Sequence, residues 1–145
     1  MKGIGTIFYI NGDIYYGQLV DNRKEGKGSY KYKNANLYEG SWHNDLKNGQ
    51  GIFKIKETST FFFKKLVVNF KKDERYEGNF SNGKYHGKGT FYYSFDAKFE
   101  GSYNNGKRVG KGELTIKKDN ILVGNYEDNK ITGEISYKAN GNIYV

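Results

Sequence analysis

The sequence predicts an all-β protein, an elongated single-layer twisted antiparallel sheet assembled from tandem β-hairpins. Glycine and aromatic residues recur at fixed offsets through nearly the whole chain, a pair drawn from Asn, Asp and Gly sits inside every copy, and proline is absent, as a continuous hydrogen-bonded ladder prefers. Counting Tyr76 as offset 0, Gly78 falls at 2, Phe80 at 4, Asn82-Gly83 at 6 and 7, Gly87 at 11, Gly89 at 13 and Phe91 at 15. Copies in the same phase start at residues 15, 38, 76, 99 and 122, in steps of 23, 38, 23 and 23. A period in this range is the signature of a repeat array, whose units bury their apolar faces only against one another.

In chain order, Gly3 and Gly5 fit the second half of a partial copy over residues 1–14. The first full copy carries Tyr15, Gly17, Leu19, Asp21-Asn22, Gly26, Gly28 and Tyr30. The second carries Tyr38, Gly40, Trp42, Asn44-Asp45, Gly49, Gly51 and Phe53, and the third is the one that opens on Tyr76. The fourth carries Phe99, Gly101, Tyr103, Asn105-Gly106, Gly110, Gly112 and Leu114. The fifth has Leu122, Gly124, Tyr126, Asp128-Asn129 and Gly133, with Ile135 in place of its last glycine, and residues 144–145 fall where a sixth would open. Sixteen of the 20 glycines sit at offsets 2, 11 or 13, and residues 1–145 read as a single domain.

Each copy reads as a hairpin whose turn residues tolerate positive φ. Period two places offsets 0, 2 and 4 on one face of the first strand and 11, 13 and 15 on one face of the second. A tight turn pairs offset 2 with 11, a wider loop pairs it with 13, and the wider loop is favoured. Rings separated by glycines then leave slots for the rings of the neighbouring hairpin. The opposite face carries Glu39, Glu77 and Glu100 at offset 1 and Lys27, Lys88 and Lys111 at offset 12, which predicts cross-strand pairing between the two sets.

Composition narrows the function classes. The 17% aromatic content supplies apolar surface that disordered segments lack, and the absence of cysteine removes disulfides and thiolate metal sites. MKGIGTIFYINGD lacks the continuous apolar core of a signal peptide, and no apolar run approaches the length of a membrane span; the expectation is a soluble cytoplasmic protein. His43 and His86 are the only histidines, both beside turns and without a metal-ligand pattern. The Gly-x-Gly pairs open strands, so they lack the helix N-terminus of a phosphate loop. No catalysis, cofactor or small-molecule substrate is expected. Nucleic acid is set aside as well, because the rings recur at packing offsets where bases cannot stack on them.

Residues 54–75, KIKETSTFFFKKLVVNFKKDER, supply the 15 residues by which the second copy exceeds the period and carry +4 of the net charge of +8. Two neighbouring strands lengthened into a hairpin arm, or a short helix capped near Thr58 or Ser59, fit this stretch. Its apolar side chains extend the core, or it contacts a protein partner, or it contacts an acidic membrane. For the last two, the contact residues are Lys64, Lys65, Lys71, Lys72 and Arg75 with Phe61, Phe62 and Phe63.

YEGSW at 38–42, YEGNF at 76–80 and FEGSY at 99–103, each followed by GQG or GKG, resemble MORN repeats. The resemblance covers nearly the whole chain. It implies a non-catalytic hairpin array used for binding, in scaffolds of cytoskeletal, ciliary or membrane-associated assemblies, with phosphoinositide binding and dimerisation as family properties. The expected function is therefore a protein–protein interaction scaffold. The alternative is a peripheral membrane adaptor that binds acidic phospholipids through the basic aromatic insertion. A protein partner or a second copy is expected to use Tyr126, Tyr137, Ile143 and Tyr144, in or beside the poorly protected YKANGNIYV segment.

Overall fold

The computed structural model describes residues 1–63, 66–93, 96–117 and 119–145, and of residues 57–63 and 66–73 it describes the backbone alone. The described residues form one antiparallel sheet of twelve strands whose spatial order is their sequence order. These are β1 (Lys2–Phe8), β2 (Ile14–Val20), β3 (Arg23–Lys31), β4 (Leu37–His43), β5 (Leu46–Phe63) and β6 (Leu66–Ser81), then β7 (Lys84–Tyr92), β8 (Lys98–Asn104), β9 (Lys107–Lys117), β10 (Asn120–Glu127), β11 (Lys130–Ala139) and β12 (Asn142–Tyr144). No helix occurs among the described residues. The predicted fold class is the observed one.

Offset 2 pairs with offset 13, as Gly17↔Gly28, Gly40↔Gly51 and Gly78↔Gly89 show. The cause differs from the wider loop that the sequence favoured. The hairpin of each of the five full repeats closes on a two-residue turn with both residues at positive φ, for example Asp21 at 47° and Asn22 at 64°, the geometry that matches strand twist. The slack is taken up by a bulge: between the pairs Gly17↔Gly28 and Leu19↔Lys24, Gln18 alone faces Glu25, Gly26 and Lys27. A shift of the same size recurs in the other four full hairpins, at the same offsets in the second and third and one residue earlier, at Gly101 and Gly124, in the fourth and fifth. The offset-11 glycines sit in these bulges at positive φ, from 66° at Gly26 and Gly110 to 89° at Gly49. A Cβ on Gly49 or Gly87 would point at Ser41 or Asn79 on the polar face. Offset 11 is therefore a bulge position and not a slot among the rings.

The glycines at offsets 2 and 13 form a single row across the sheet. Gly5, Gly17, Gly28, Gly40, Gly51, Gly78, Gly89 and Gly101 face one another strand by strand, and Gly112 opposite Gly124 continues the row. Each of the first four full repeats lays its own offset-0 ring across its own two glycines. A Cβ on Gly51 would stand 2.6 Å from Tyr38 Cε2, and one on Gly112 would stand 2.6 Å from Phe99 Cε2. Tyr15, Tyr38 and Tyr76 reach across the row and donate their hydroxyls to the carbonyls of Gln18, Ser41 and Asn79 at 2.7, 2.8 and 2.9 Å. The slot is thus filled from within the repeat, not by the neighbour as predicted.

The neighbour's contribution is edge-on. Trp42 stands perpendicular to both Tyr15 of the preceding repeat and Tyr38 of its own, with centroids 5.4 and 5.1 Å apart. Phe80 does the same to Tyr38 and Tyr76, Tyr103 to Tyr76 and Phe99, and Tyr126 to Phe99. Edge-to-face pairs of this kind contribute about 0.5–1.5 kcal/mol beyond area burial, and these eight rings are the buried apolar core among the described residues. Turns add backbone stitching, since the N–H groups of Asp45, Gly83, Gly106 and Asn129 donate to the offset-9 carbonyls of the preceding repeats at 2.8–3.2 Å.

On the polar face the offset-1 glutamates pair with neighbours other than those predicted. Glu39 meets Lys54, Glu77 meets Arg75 and Glu100 meets Lys98, at 2.9, 2.8 and 2.9 Å. Register accounts for the difference: within a repeat the bulge leaves offset 1 opposite offset 14, as in Tyr16↔Ser29, and across the unbroken pairing with the next repeat offset 12 stands opposite offset 3, as in Lys27↔Ser41.

Gly89→Ala is expected to cost about 1–3 kcal/mol, because its Cβ enters the Tyr76 ring. Gly106→Asn is expected to stay within about 0.5 kcal/mol, because that turn position is open and Asn22 and Asn129 hold it in other repeats. Urea unfolding of the two variants compares them, and equal losses would remove the row from its structural role.

Candidate interaction surface

The ringed face has two tiers. Above the buried rings lies an outer tier of partly buried apolar residues, Tyr9, Tyr30, Tyr32, Phe53, Tyr85, Phe91, Tyr93 and Leu114. Offsets 15 and 17 supply most of it: Tyr30 packs on Tyr32 at 4.7 Å, Tyr32 on Phe53 at 5.8 Å, and Phe91 on Tyr93 at 4.7 Å. The sheet is the only layer among the described residues, so these rings form an apolar stripe on its outer surface.

A column that the sequence reading missed lies over the buried rings at offset 9, occupied by Lys24, Lys47, Tyr85, Arg108 and Ile131. Lys24 Nζ is enclosed by the rings of Tyr9, Tyr15, Tyr30 and Trp42 at 5.3–5.8 Å and donates to the Tyr9 hydroxyl at 2.9 Å. Lys47 Nζ lies 4.7–5.9 Å from the rings of Tyr32, Tyr38, Phe53 and Phe80. Arg108 lies 5.1 Å from both Phe99 and Tyr126. Tyr85 instead stacks on Tyr76 at 3.8 Å and 15°. In the fifth repeat, which lacks the opening ring, Ile131 drops into the slot above Gly124. The common requirement is a lid on the offset-0 position, met by cation–π contact, stacking or aliphatic packing. A shared position with such different side chains leaves almost no compositional signal; only alignment of the copies reveals it.

Burial in this stack raises the phenol pKa values. Tyr15 and Tyr85 are pushed up to about 12, and Tyr30, Tyr32, Tyr38, Tyr76, Tyr93 and Tyr103 are also raised, with desolvation the largest cause in each case. Burial holds the Lys47 ammonium below the usual lysine value. At the strand connection before the first repeat, Asp13 accepts the Lys33 N–H and the Tyr30 hydroxyl, both at 2.8 Å, and these bonds lower its pKa.

The predicted contact residues are scattered. Lys64 and Lys65 lie outside the described residues, as do the side chains of Phe61, Phe62, Phe63, Lys71 and Lys72. Their strands pair from Lys54↔Arg75 to Phe63↔Leu66, the hairpin arm among the two forms considered. Pairing of β5 with β4 stops at Lys54, and that of β6 with β7 at Arg75, so the arm continues past the array as a two-stranded ribbon. Arg75 stands at its base with its charge already engaged, bonded to Glu77 and lying 3.7 Å from the Tyr92 ring. Tyr126 belongs to the buried core, whereas Tyr137, Ile143 and Tyr144 are exposed. Tyr137 donates to Asn120 at 3.2 Å and lies 6.2 Å from Tyr144. His43 is bonded to Glu25 at 2.8 Å. Among the described residues no cluster of three or more His, Cys, Asp or Glu is placed to hold a metal ion, and no helix is long and apolar enough to cross a membrane.

Comparison with protein families matches the MORN repeat at residues 15–36, 38–56, 76–94 and 99–120, more than half of the chain. The chain belongs to the MORN repeat family. The match leaves out the hairpin β10–β11, which nevertheless has the MORN turn, the bulge and the edge-on Tyr126. No curated protein sequence matches the chain. MORN repeats are in general non-catalytic modules of protein-associated or membrane-associated scaffolds.

The raised phenols set an alkaline limit. A phenol with folded pKa above its unfolded value near 10 contributes stability that is complete below pH about 10 and is lost as pH rises through the folded value. Lys47 acts in the opposite sense, but one amine stands against eight phenols. Urea midpoints are expected to fall steeply between pH about 10 and about 12, with a flat response between about 8 and 9.5. A flat response up to about 12 would contradict the buried ring stack.

Proposed function

We propose that this MORN-repeat chain is a non-catalytic protein-interaction scaffold that holds a protein partner along its ringed face. The observation that carries the reading is the outer tier. Seven partly buried aromatic side chains and Leu114 run along one face of a single-layer sheet, and contiguous apolar surface of this kind marks an interaction site. The buried tier gives that surface a rigid floor, so little ordering entropy is lost when a partner segment settles on it. Contacts through Tyr137, Ile143 and Tyr144 extend the same role to a partner or a second copy at β11 and β12.

The basic arm supports a second reading. It extends past the array as a ribbon and carries +4 within residues 54–75, a charge suited to acidic phospholipid through Lys64, Lys65, Lys71 and Lys72, with Phe61, Phe62 and Phe63 beside them. Salt separates the two, because attraction between exposed charges is screened whereas apolar burial is not.

In a pull-down from source cells, the partner is expected to stay bound at about 1 M salt, where the screening length is about 3 Å. The variant Phe91→Ser, Tyr93→Ser is expected to lose it while remaining folded. Changing Lys64, Lys65, Lys71 and Lys72 to Gln is expected to leave retention unchanged. Retention that disappears with salt and with the four lysines, and survives loss of the two rings, would transfer the function to the arm.

A further inference from the structure

The offset-9 cations do not have equivalent surroundings, and the difference lies in the next repeat's turn. Lys24 faces Asp45 at offset 7 of the second repeat. That carboxylate accepts the Lys24 N–H at 2.8 Å and lies 3.4 Å from Lys24 Nζ. Arg108 faces Asn129 at the same offset, whose side-chain oxygen accepts the Arg108 N–H at 2.8 Å and whose carbonyl accepts from the guanidinium at 3.3 Å. Tyr85 faces Gly106, and a ring stacked on Tyr76 needs no acceptor. Lys47 faces Gly83. Among the described residues it is the one offset-9 cation whose facing offset-7 residue has no side chain, and no carboxylate of the described residues forms an ion pair with it.

The missing side chain coincides with a cavity. A space of about 250 Å³ lies over Phe53, Phe80 and Tyr85, between the turn glycines Gly83 and Gly106, with Lys47 and Lys84 on its wall. Nothing stands within 4 Å of a Cβ built on Gly83, so the volume that Asp45 occupies beside Lys24 is open beside Lys47. The lining offers two ammonium groups and three rings and includes no acidic side chain. An ammonium half-enclosed by rings and lacking a counterion retains an uncompensated desolvation cost, which an incoming carboxylate offsets through a charge-assisted hydrogen bond.

We propose that this cavity receives the carboxylate of an aspartate or glutamate on the protein partner, seated on Lys47 as Asp45 is seated on Lys24, with an apolar neighbour of that residue resting on Phe53, Phe80 and Tyr85. The inference rests on the scaffold reading and names the chemistry that the scaffold selects. The internal pair in the first repeat favours a carboxylate over a lipid phosphate, because it shows this backbone geometry already holding one.

The test uses the full chain labelled for amide NMR, with the capped peptide Ac-Phe-Asp-Leu-Glu-Phe-NH2 as probe and its Asn/Gln twin as control. The acidic peptide is expected to move the signals of Lys47, Gly83 and Gly106, and the twin to bind at least about tenfold more weakly. Gly83→Asp supplies the carboxylate internally and is expected to lower peptide affinity by about tenfold or more. Its melting temperature should not fall, since Asp45 holds the same turn position at φ 68°. Lys47→Met keeps the packing of the stem and is expected to lose binding to the same extent. The proposal is overturned if those signals stay still, if the twin binds equally, or if both variants bind as the native chain does. Phosphatidylserine vesicles that displace the peptide from the native chain would reassign the site to a lipid headgroup. If Lys47 stays silent while the Phe91→Ser, Tyr93→Ser variant still loses its captured partner, the carboxylate site alone is wrong. A native chain that captures no partner defeats the scaffold reading separately.

Discussion

The structure depends on the contact between an aromatic ring and a bare backbone. In each of the first four full repeats, a tyrosine or phenylalanine lies across two glycines on adjacent strands, so close that any Cβ would occupy the ring's own volume. A single-layer sheet has no second sheet or helix to bury its apolar face, and so the rings must lie down on the sheet itself. Flattened rings present their faces upward, and the offset-4 ring of the following repeat meets each face with its edge. One steric concession in the backbone thus produces both the core of a repeat and its link to the next.

This division explains how the array accommodates a 15-residue insertion. Gly51 and Gly78 are separated by the whole arm, yet they stand opposite each other as the other glycine pairs do. Phe80 still reaches back to Tyr38 at 5.0 Å. The insertion enters at the margin where one repeat connects to the next, away from the turns whose N–H groups stitch successive repeats together. Lengthening both connecting strands by equal amounts leaves the register of the row unchanged, whereas the same residues placed inside a hairpin would shift Gly17 from Gly28 or its equivalents. The arm is an appendage of the array and not a break in it.

The architecture was legible because the packing rule concerns two residue types at fixed spacing. Glycine and rings at offsets 0, 2, 4 and 13 announce themselves in Tyr38, Gly40, Trp42 and Gly51 as clearly as in Tyr76, Gly78, Phe80 and Gly89. Offset 11 misled, because strict alternation assumes an unbroken strand and the bulge at Gly26, Gly49, Gly87, Gly110 and Gly133 breaks it. The same bulge redirected the glutamates, so that Glu39 and Glu100 found Lys54 and Lys98 in place of the offset-12 lysines. The surface was less legible than the fold. Arg75 looked like part of a basic patch, yet it is held by Glu77 and Tyr92, and Tyr126 looked like an edge residue, yet it closes the core. Charge and aromaticity are visible in a sequence, but whether a neighbour has already used them depends on register.

Where the repeats must agree, they carry no information about a partner. A ring at offset 0, glycine at 2 and 13 and a second ring at 4 are fixed by packing, with substitutions such as Leu19 and Leu122 in the first and last full repeats. Freedom begins at offset 9, which accepts Lys, Tyr, Arg or Ile provided the ring or slot beneath is covered, and at offset 7, which accepts any residue that tolerates positive φ in the turn. These two positions meet across the repeat boundary, on the same side as the outer tier of rings. Under the scaffold proposal, recognition is written in the pairing of one repeat's lid with the next repeat's turn. A pair that satisfies itself, as Lys24 and Asp45 do, is silent toward a ligand; a pair left incomplete by glycine, as at Lys47 and Gly83, leaves a charge and a volume for something else to fill.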